Sequence, residues 1–193
     1  MKKVTFSIFI IILVFSNYKL VFSQKNFSDG YIITVENDTV QGKVRDKFAF
    51  SSRKVDFIDN QGNKCTYHPK DINGYSKSGI IDYMSIQEDI LREFARIVVD
   101  GEIRLLKVQK TGTTTTSNTT GGTNYNSYSQ DLFYLYNTRT KLTTRVLKLD
   151  FKNFVSDYFS DNIKLKEMIL NKELRFGDLE IIVETYNKWK RNQ

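Results

Sequence analysis

One cysteine, one histidine and one proline stand in 193 residues, and each scarcity closes a class of chemistry. Cys65, being alone, cannot form an internal disulfide, so the fold must rest on its core. One histidine and one cysteine cannot supply the usual nitrogen and sulfur ligands of zinc. A spaced D-x-D-x-D-G run for calcium is missing as well. Cys65 and His68 lie three apart, which on a strand sends them to opposite faces. They read as a small buried hydrophobe and an exposed strand-end imidazole rather than as a thiol–imidazole pair. Gly74-Tyr75-Ser76-Lys77-Ser78-Gly79 has Ile80 and Ile81 where a phosphate loop needs Lys-Ser/Thr, and it lacks the G-x-S-x-G of a nucleophile elbow. It reads as a glycine-bounded turn. No catalytic residue, metal or cofactor is implied.

Long apolar runs are scarce too. One stands at residues 4–15, after Lys2 and Lys3, and is followed by Val21-Phe22-Ser23 before Gln24. A positive start, a short apolar core and a small residue at the last position predict a signal peptide over 1–23, cleaved between Ser23 and Gln24. The run is shorter than the roughly 20 residues a transmembrane helix needs. No cysteine neighbours the cleavage point to carry a lipid anchor. The expectation is a chain exported to the periplasm, the cell surface or the medium, with no integral membrane segment in its mature part. Three lysines and no acid leave with residues 1–23, so the net charge falls from +7 to +4. That is ordinary for a soluble protein. No clustered basic face is apparent along the sequence, and no nucleic-acid partner is expected.

Fourteen phenylalanines and eleven tyrosines point to a packed, strand-rich body. Residues 31–35 and 39–44 flank Glu36-Asn37-Asp38 and predict a hairpin, with Gly42 marking a bulge or a close backbone approach. A second hairpin is predicted from 54–58 and 64–68 about the turn 59–63, ended by Pro69. Between 86 and 98 the apolar pattern fits one helix face, yet 94–99, Asp100-Gly101 and 102–108 fit a tight hairpin equally well. Strands are the reading taken for 94–108. Residues 111–130 carry no charge and are mostly Thr, Gly, Asn and Ser, which predicts a long, disordered low-complexity loop. After it, 131–136 is apolar on both faces, with 142–149 as its antiparallel partner.

The period changes at Phe151. Phe151, Phe154, Val155, Tyr158 and Phe159 form one helical stripe. Ser160-Asp161-Asn162 can cap a second helix with Leu165, Met168 and Ile169 inward. A last helix begins near Gly177, with Phe176 and Ile181 as its hydrophobic staple and Leu179, Ile182, Val183, Tyr186 and Trp189 as its stripe. The predicted fold is therefore α+β: an antiparallel β-sheet or partly closed barrel built of hairpins over 24–150, with C-terminal α-helices of the same domain, 151–193, packed on it.

Chemistry is thinly marked. Asp56, Asp59, Asp71, Asp82 and Glu88 are scattered and read as solvated turn acids. Tyr134 and Tyr136 read as core. Tyr125 and Tyr128, in the polar loop, are candidate ligand contacts of the kind adaptable recognition loops use. Gly30-Tyr31-Ile32-Ile33-Thr34, followed by Asn37-Asp38-Thr39-Val40-Gln41-Gly42-Lys43-Val44, together with Phe22-Ser23-Gln24 and the tail residues Tyr158-Phe159, Leu179, Ile182-Val183 and Tyr186-Asn187, resembles exported proteins common in Bacteroidota. That resemblance implies a secreted or envelope protein and brings no activity with it. It also implies a candidate O-glycosylation at Thr39, because Asp38-Thr39-Val40 is similar to the Asp-Thr-aliphatic triplets modified in such bacteria.

Three functions stay open on the sequence. The first is a non-enzymatic envelope or periplasmic binding module for another envelope protein or a glycan. The second is a carboxylate-based hydrolase of cell-wall or polysaccharide material. The third is a peripheral membrane protein using the terminal basic helix, although 148–191 holds nine basic against eight acidic residues.

Overall fold

A computed structural model describes residues 26–49, 52–79, 81–88, 91–117 and 123–193. The expected signal peptide over 1–23 and its expected Ser23–Gln24 cleavage point lie outside the described residues. The chain is α+β: an antiparallel sheet of ten strands, not closed into a barrel, with three C-terminal helices packed on it.

Two meanders make the sheet. β1 (Ser28–Ile33), β2 (Thr39–Ala49), β3 (Ser52–Asp59) and β4 (Lys64–Tyr67) step outward to one edge. The chain then returns to the middle. β5 (Gly74–Lys77) pairs with β1, and β6 (Ile81–Glu88), β7 (Leu91–Val99), β8 (Ile103–Ser117), β9 (Thr123–Asn137) and β10 (Thr143–Val146) step outward to the other edge.

The turns follow local chemistry. Asn37 takes a left-handed φ of 71° in the β1–β2 turn, a conformation its short amide side chain tolerates. Asp59 Oδ1 accepts from the backbone N–H groups of Gln61 and Asn63, closing the β3–β4 turn. Gly30 and Gly42 face each other across β1 and β2. A Cβ on Gly42 would stand 2.3 Å from the Ile58 carbonyl oxygen, so the close backbone approach, not a bulge, is what its glycine serves.

Alternation separates two faces. On the helix face, Ile32, Val44, Val55, Phe57, Tyr75 and Phe94 form one buried cluster with Ile72 of the β4–β5 crossover. β3 and β7 approach each other across this face although four strands separate them in the sheet, so the sheet is strongly coiled. A shift of register at 97–99 sets Ile97 opposite Leu106 and Val99 opposite Leu105. Val99, Ile103, Leu105, Leu135 and Val146 can thereby meet the helices. On the opposite face Ile86, Ala95, Leu106, Val108, Leu132 and Tyr134 form a further buried cluster.

The helical tail follows its predicted stripes. α1 (Phe151–Tyr158) buries Phe151 and Val155, with Phe159 buried just beyond its end. α2 (Ile163–Leu170) is capped by Asn162, whose Oδ1 accepts from the Leu165 N–H, and buries Leu165 and Ile169. After a 3₁₀ turn (Phe176–Asp178), α3 (Leu179–Arg191) buries Leu179, Ile182, Val183 and Tyr186. The expected staple does not form as read. Ile181 is 54% exposed, while Phe176 stacks edge-on against Phe133 and Phe151. The ring gains more from two aromatic partners in the core than from one aliphatic at the surface.

One further expectation is corrected, and the open choice between helix and strand is resolved in favour of the strand. Residues 111–117 and 123–130 are not a loop. They prolong β8 and β9 into a two-stranded ribbon, the two strands sharing fifteen residue pairs from Ile103–Asn137 to Ser117–Thr123. Threonine is a good strand former, and the register set at the base carries on without a core. Residues 91–99 are strand, not helix. The helical period there is produced by burial on both faces: Glu93, Phe94 and Ala95 are all buried.

One polar contact locks the tail to the sheet. The buried Asn187 side chain accepts from the Ile103 N–H at 3.0 Å and donates to the Ile103 carbonyl at 2.7 Å. Gly101 makes room for it; with φ of 157°, a Cβ there would fall 2.4 Å from the Asn187 amide nitrogen. Asn187→Ala leaves a buried N–H and a buried C=O without partners, each costing about 1–3 kcal/mol. Urea unfolding of that variant should show a loss of about 3 kcal/mol, and a loss under about 0.5 kcal/mol would mean that the amide does not anchor the tail.

Candidate functional site

A groove of about 730 Å³ crosses the face opposite the helices. It reaches from the β1–β2 turn and the crossover, through β1, β6 and β7, to the β7–β8 and β9–β10 turns. Antiparallel order puts the first of these turns and the last two at opposite ends of the sheet, so the groove runs obliquely across it.

Its lining is polar. Tyr31, Asp82, Arg104 and Tyr136 come from strands, while Asn37, Asn73, Asp100 and Lys141 come from connections. The Tyr31 hydroxyl donates to Asp82 Oδ1 at 3.2 Å. Partial burial, then the neighbouring Asp82 charge, push the Tyr31 phenol above its ordinary value, so it remains a donor. The Asn73 amide nitrogen donates to Asn37 Oδ1 at 3.0 Å and to the Val35 carbonyl at 3.3 Å, which ties the crossover to the β1–β2 turn. Arg104 Nε donates to Asp100 Oδ1 at 2.6 Å. Arg104 stands opposite Tyr136 on β9, and Tyr136 opposite Thr143 on β10, so ring and guanidinium share one row. Such a surface offers fixed donors, acceptors and ring edges along a path. It can bind an extended polar molecule.

Two carboxylates line the groove. These, Asp82 and Asp100, accept from Tyr31 and Arg104 respectively. The carboxylates of the described residues whose pKa moves, Asp56, Asp59 and Asp161, all move down.

Two of the acids expected in turns stand on strands instead: Asp82 on β6, in the groove, and Asp56. Asp56 sits mid-strand on β3, fully buried, on the same face as the groove. Arg45 Nη2 lies 2.5 Å and Lys47 Nζ 3.0 Å from Asp56 Oδ2, and the Thr66 hydroxyl donates to Oδ1 at 2.6 Å. The Arg45 guanidinium lies 4.5 Å over the Phe27 ring. Burial alone would raise the Asp56 pKa. The donors Thr66, Arg45 and Lys47, with the Lys47 charge, outweigh it and bring the value to about 2. Asp59 and Asp71, by contrast, are the turn acids expected, bonded to Asn63 and Gln61 and to the His68 N–H.

The other residues singled out in the sequence are dispersed. Tyr125 and Tyr128 stand on the ribbon, far along β9 from the groove, 70% and 51% exposed. An odd spacing on one strand puts them on opposite faces. The Tyr128 ring folds across the strand pair onto Gly112, within 2.5 Å of where a Cβ would be. Thr39 is exposed at the start of β2, opposite Ile33. Cys65 is exposed on the edge strand β4 and His68 is half-buried, the reverse of the expected burial. A short edge strand has nothing beyond it to cover the thiol. Tyr134 is core, as read.

A second, mostly apolar cleft of about 700 Å³ lies between α2 and α3, lined by Ile163, Leu165, Met168 and Trp189. At its rim Asp161 accepts from the Tyr186 hydroxyl at 2.8 Å and pairs with Lys190 at 3.0 Å. No group of three or more histidine, cysteine or carboxylate side chains that could hold a metal occurs among the described residues.

Acid should unfold the chain partly through Asp56. Its folded value of about 2 lies below the ordinary value of about 4. Its contribution is therefore complete above about pH 4 and is lost as pH falls from there toward 2. Asp56→Asn should cost about 2 kcal/mol at pH 7 and flatten the fall in urea midpoint between pH 5 and 2. Asp59 and Asp161 supply the residual slope. An unchanged acid limb would show that Asp56 is not held ionised by its partners.

No protein-family model matches the chain, and neither a curated protein nor a solved structure is similar to it.

Proposed function

We propose that the chain is a non-enzymatic binding module of the cell envelope that holds a neutral or weakly charged oligosaccharide in the groove on the face opposite the helices. The observation that carries this reading is the lining itself. Fixed phenol, amide, carboxylate and guanidinium groups follow one oblique path, with each carboxylate already bonded to a donor. Sugar hydroxyls each give and accept hydrogen bonds, and rings cover their C–H faces, which is the chemistry this lining offers. Export rests on the charged and apolar start of the sequence and its small-residue cleavage site.

The hydrolase reading loses support because the groove's two acids are engaged by Tyr31 and Arg104. The membrane-surface reading loses support because the apolar stripe of α3 is used in the core. No described helix is long and apolar enough to cross a membrane.

An oligosaccharide array followed by titration calorimetry tests the proposal. Tyr136→Ala and Asp82→Ala should each weaken the selected sugar about tenfold or more, and the exposed Asp82→Ala should do so with unchanged thermal unfolding. Cleavage of the bound sugar, or affinity untouched by both variants, would overturn it.

A further inference from the structure

Strand pairing assembles a basic surface that is not evident along the chain. On the face opposite the helices β2 presents Lys43, Arg45 and Lys47, neighbouring β3 presents Lys54, and edge strand β4 presents Lys64. The register fixes these positions: Lys43 faces Ile58, which faces Lys64; Arg45 faces Asp56, which faces Thr66; and Lys47 faces Lys54. Five cations thus occupy three adjacent strands with one acid among them, the buried Asp56. Asp29, opposite Lys43 on β1, is the next acid on this face. The expectation of no clustered basic face is corrected here. Alternation spaces the β2 cations two apart in sequence, and pairing brings Lys54 and Lys64 beside them from other strands.

Lys47 and Lys54 are a like-charged pair directly opposite one another, an arrangement that destabilises a sheet. Asp56 answers Arg45 and Lys47, and among the described residues no carboxylate pairs with Lys54 or Lys64. Lys64 Nζ instead lies 5.7 Å from the centre of the Phe27 ring. A sheet that accepts internal repulsion on one face, while its opposite face is apolar, has a surface suited to anions supplied from outside.

We propose that the β2–β3–β4 surface around Lys43, Arg45, Lys47, Lys54 and Lys64 binds a linear acidic polysaccharide, with sulfate, phosphate or uronate groups pairing to those cations. Successive side chains on one strand face lie about 7 Å apart and facing strands about 5 Å apart. The cations therefore form a flat grid that a chain bearing regular anions can follow. The surface favours a glycan over the other polyanions. Its one aliphatic member, Ile58, is half-buried and cannot insert among lipid chains. Its one ring, Phe27, already lies beneath Arg45 and is not free to stack on a base. The proposal does not depend on the groove, whose lining includes none of these five residues.

Heparin, as a sulfated probe, tests it on the full chain by calorimetry over a range of salt. Lys54→Gln/Lys64→Gln removes two cations that Asp56 does not hold. The double variant should bind about tenfold more weakly at low salt, and the slope of log affinity against log salt should fall by about two. Asp82→Ala in the groove should leave heparin binding unchanged, which separates failure here from failure of the oligosaccharide reading. Undiminished affinity in the double variant overturns the proposal. So does tighter binding to single-stranded DNA, or to vesicles of anionic phospholipid, than to heparin.

Discussion

Four residue pairs between β1 and β5, from Gly30–Lys77 to Ile33–Gly74, make one sheet out of two meanders. Every other ladder among the described strands joins neighbours in the chain, separated by at most five residues. The β1–β5 ladder must close over β2, β3 and β4, and its loop entropy is correspondingly larger, although it grows slowly with length. The crossover supplies what offsets that cost. Asn73 N–H donates to Ile33 O, Ser78 N–H to Asp29 O, and Ser85 N–H to Asn73 O, extending the pairing past both ends of β5. Ile72 is buried against Ile32, Tyr75 and Phe94 directly at the join. The groove straddles the same join, since Tyr31 lies on one side and Asp82 on the other. Its shape and the closure of the sheet are therefore one event.

Local pattern made much of this fold readable. The hairpins at 31–44 and 54–67 and the strands following 131 declare themselves through β-branched alternation and turn residues, and each is closed by bonds within a few residues. Helices α1 and α3 are legible for the same reason, as one stripe of each is buried. The ribbon was hidden because composition reports the absence of a core, and a strand pair extending from an established register does not need one. Residues 91–99 were ambiguous because burial on both faces erases the period of two.

The candidate site was barely legible, for a different physical reason. Asp56 lies next to Phe57 and Ile58 in a run that ends in a turn, and nothing local distinguishes it from Asp59. Its partners stand nine to eleven residues away on two other strands and become partners when the register is set. The groove is worse still. Asn37, Asp82, Arg104 and Tyr136 are spread over a hundred residues and share no motif; topology alone collects them. The alternating cations of β2 were the one visible signal, since Lys43, Arg45 and Lys47 must share a face if 39–49 is a strand.

The two faces of the sheet solve opposite problems. On the helix face, apolar burial and the Asn187 lock leave little polar demand unmet. Around Asp56, an ionised carboxylate without solvent would be prohibitive by itself, and it is tolerated because three donors converge on it. That convergence has a structural consequence beyond charge balance. Arg45 and Lys47 are long, rotamer-rich side chains that would otherwise sample many positions. Fixed by one buried acid, with Phe27 beneath the guanidinium, they become a rigid part of the surface. Ordering them during folding spares that loss when an anion arrives, which is what preorganisation contributes to affinity. A single buried Asp thereby turns part of a repulsive row of cations into a defined surface.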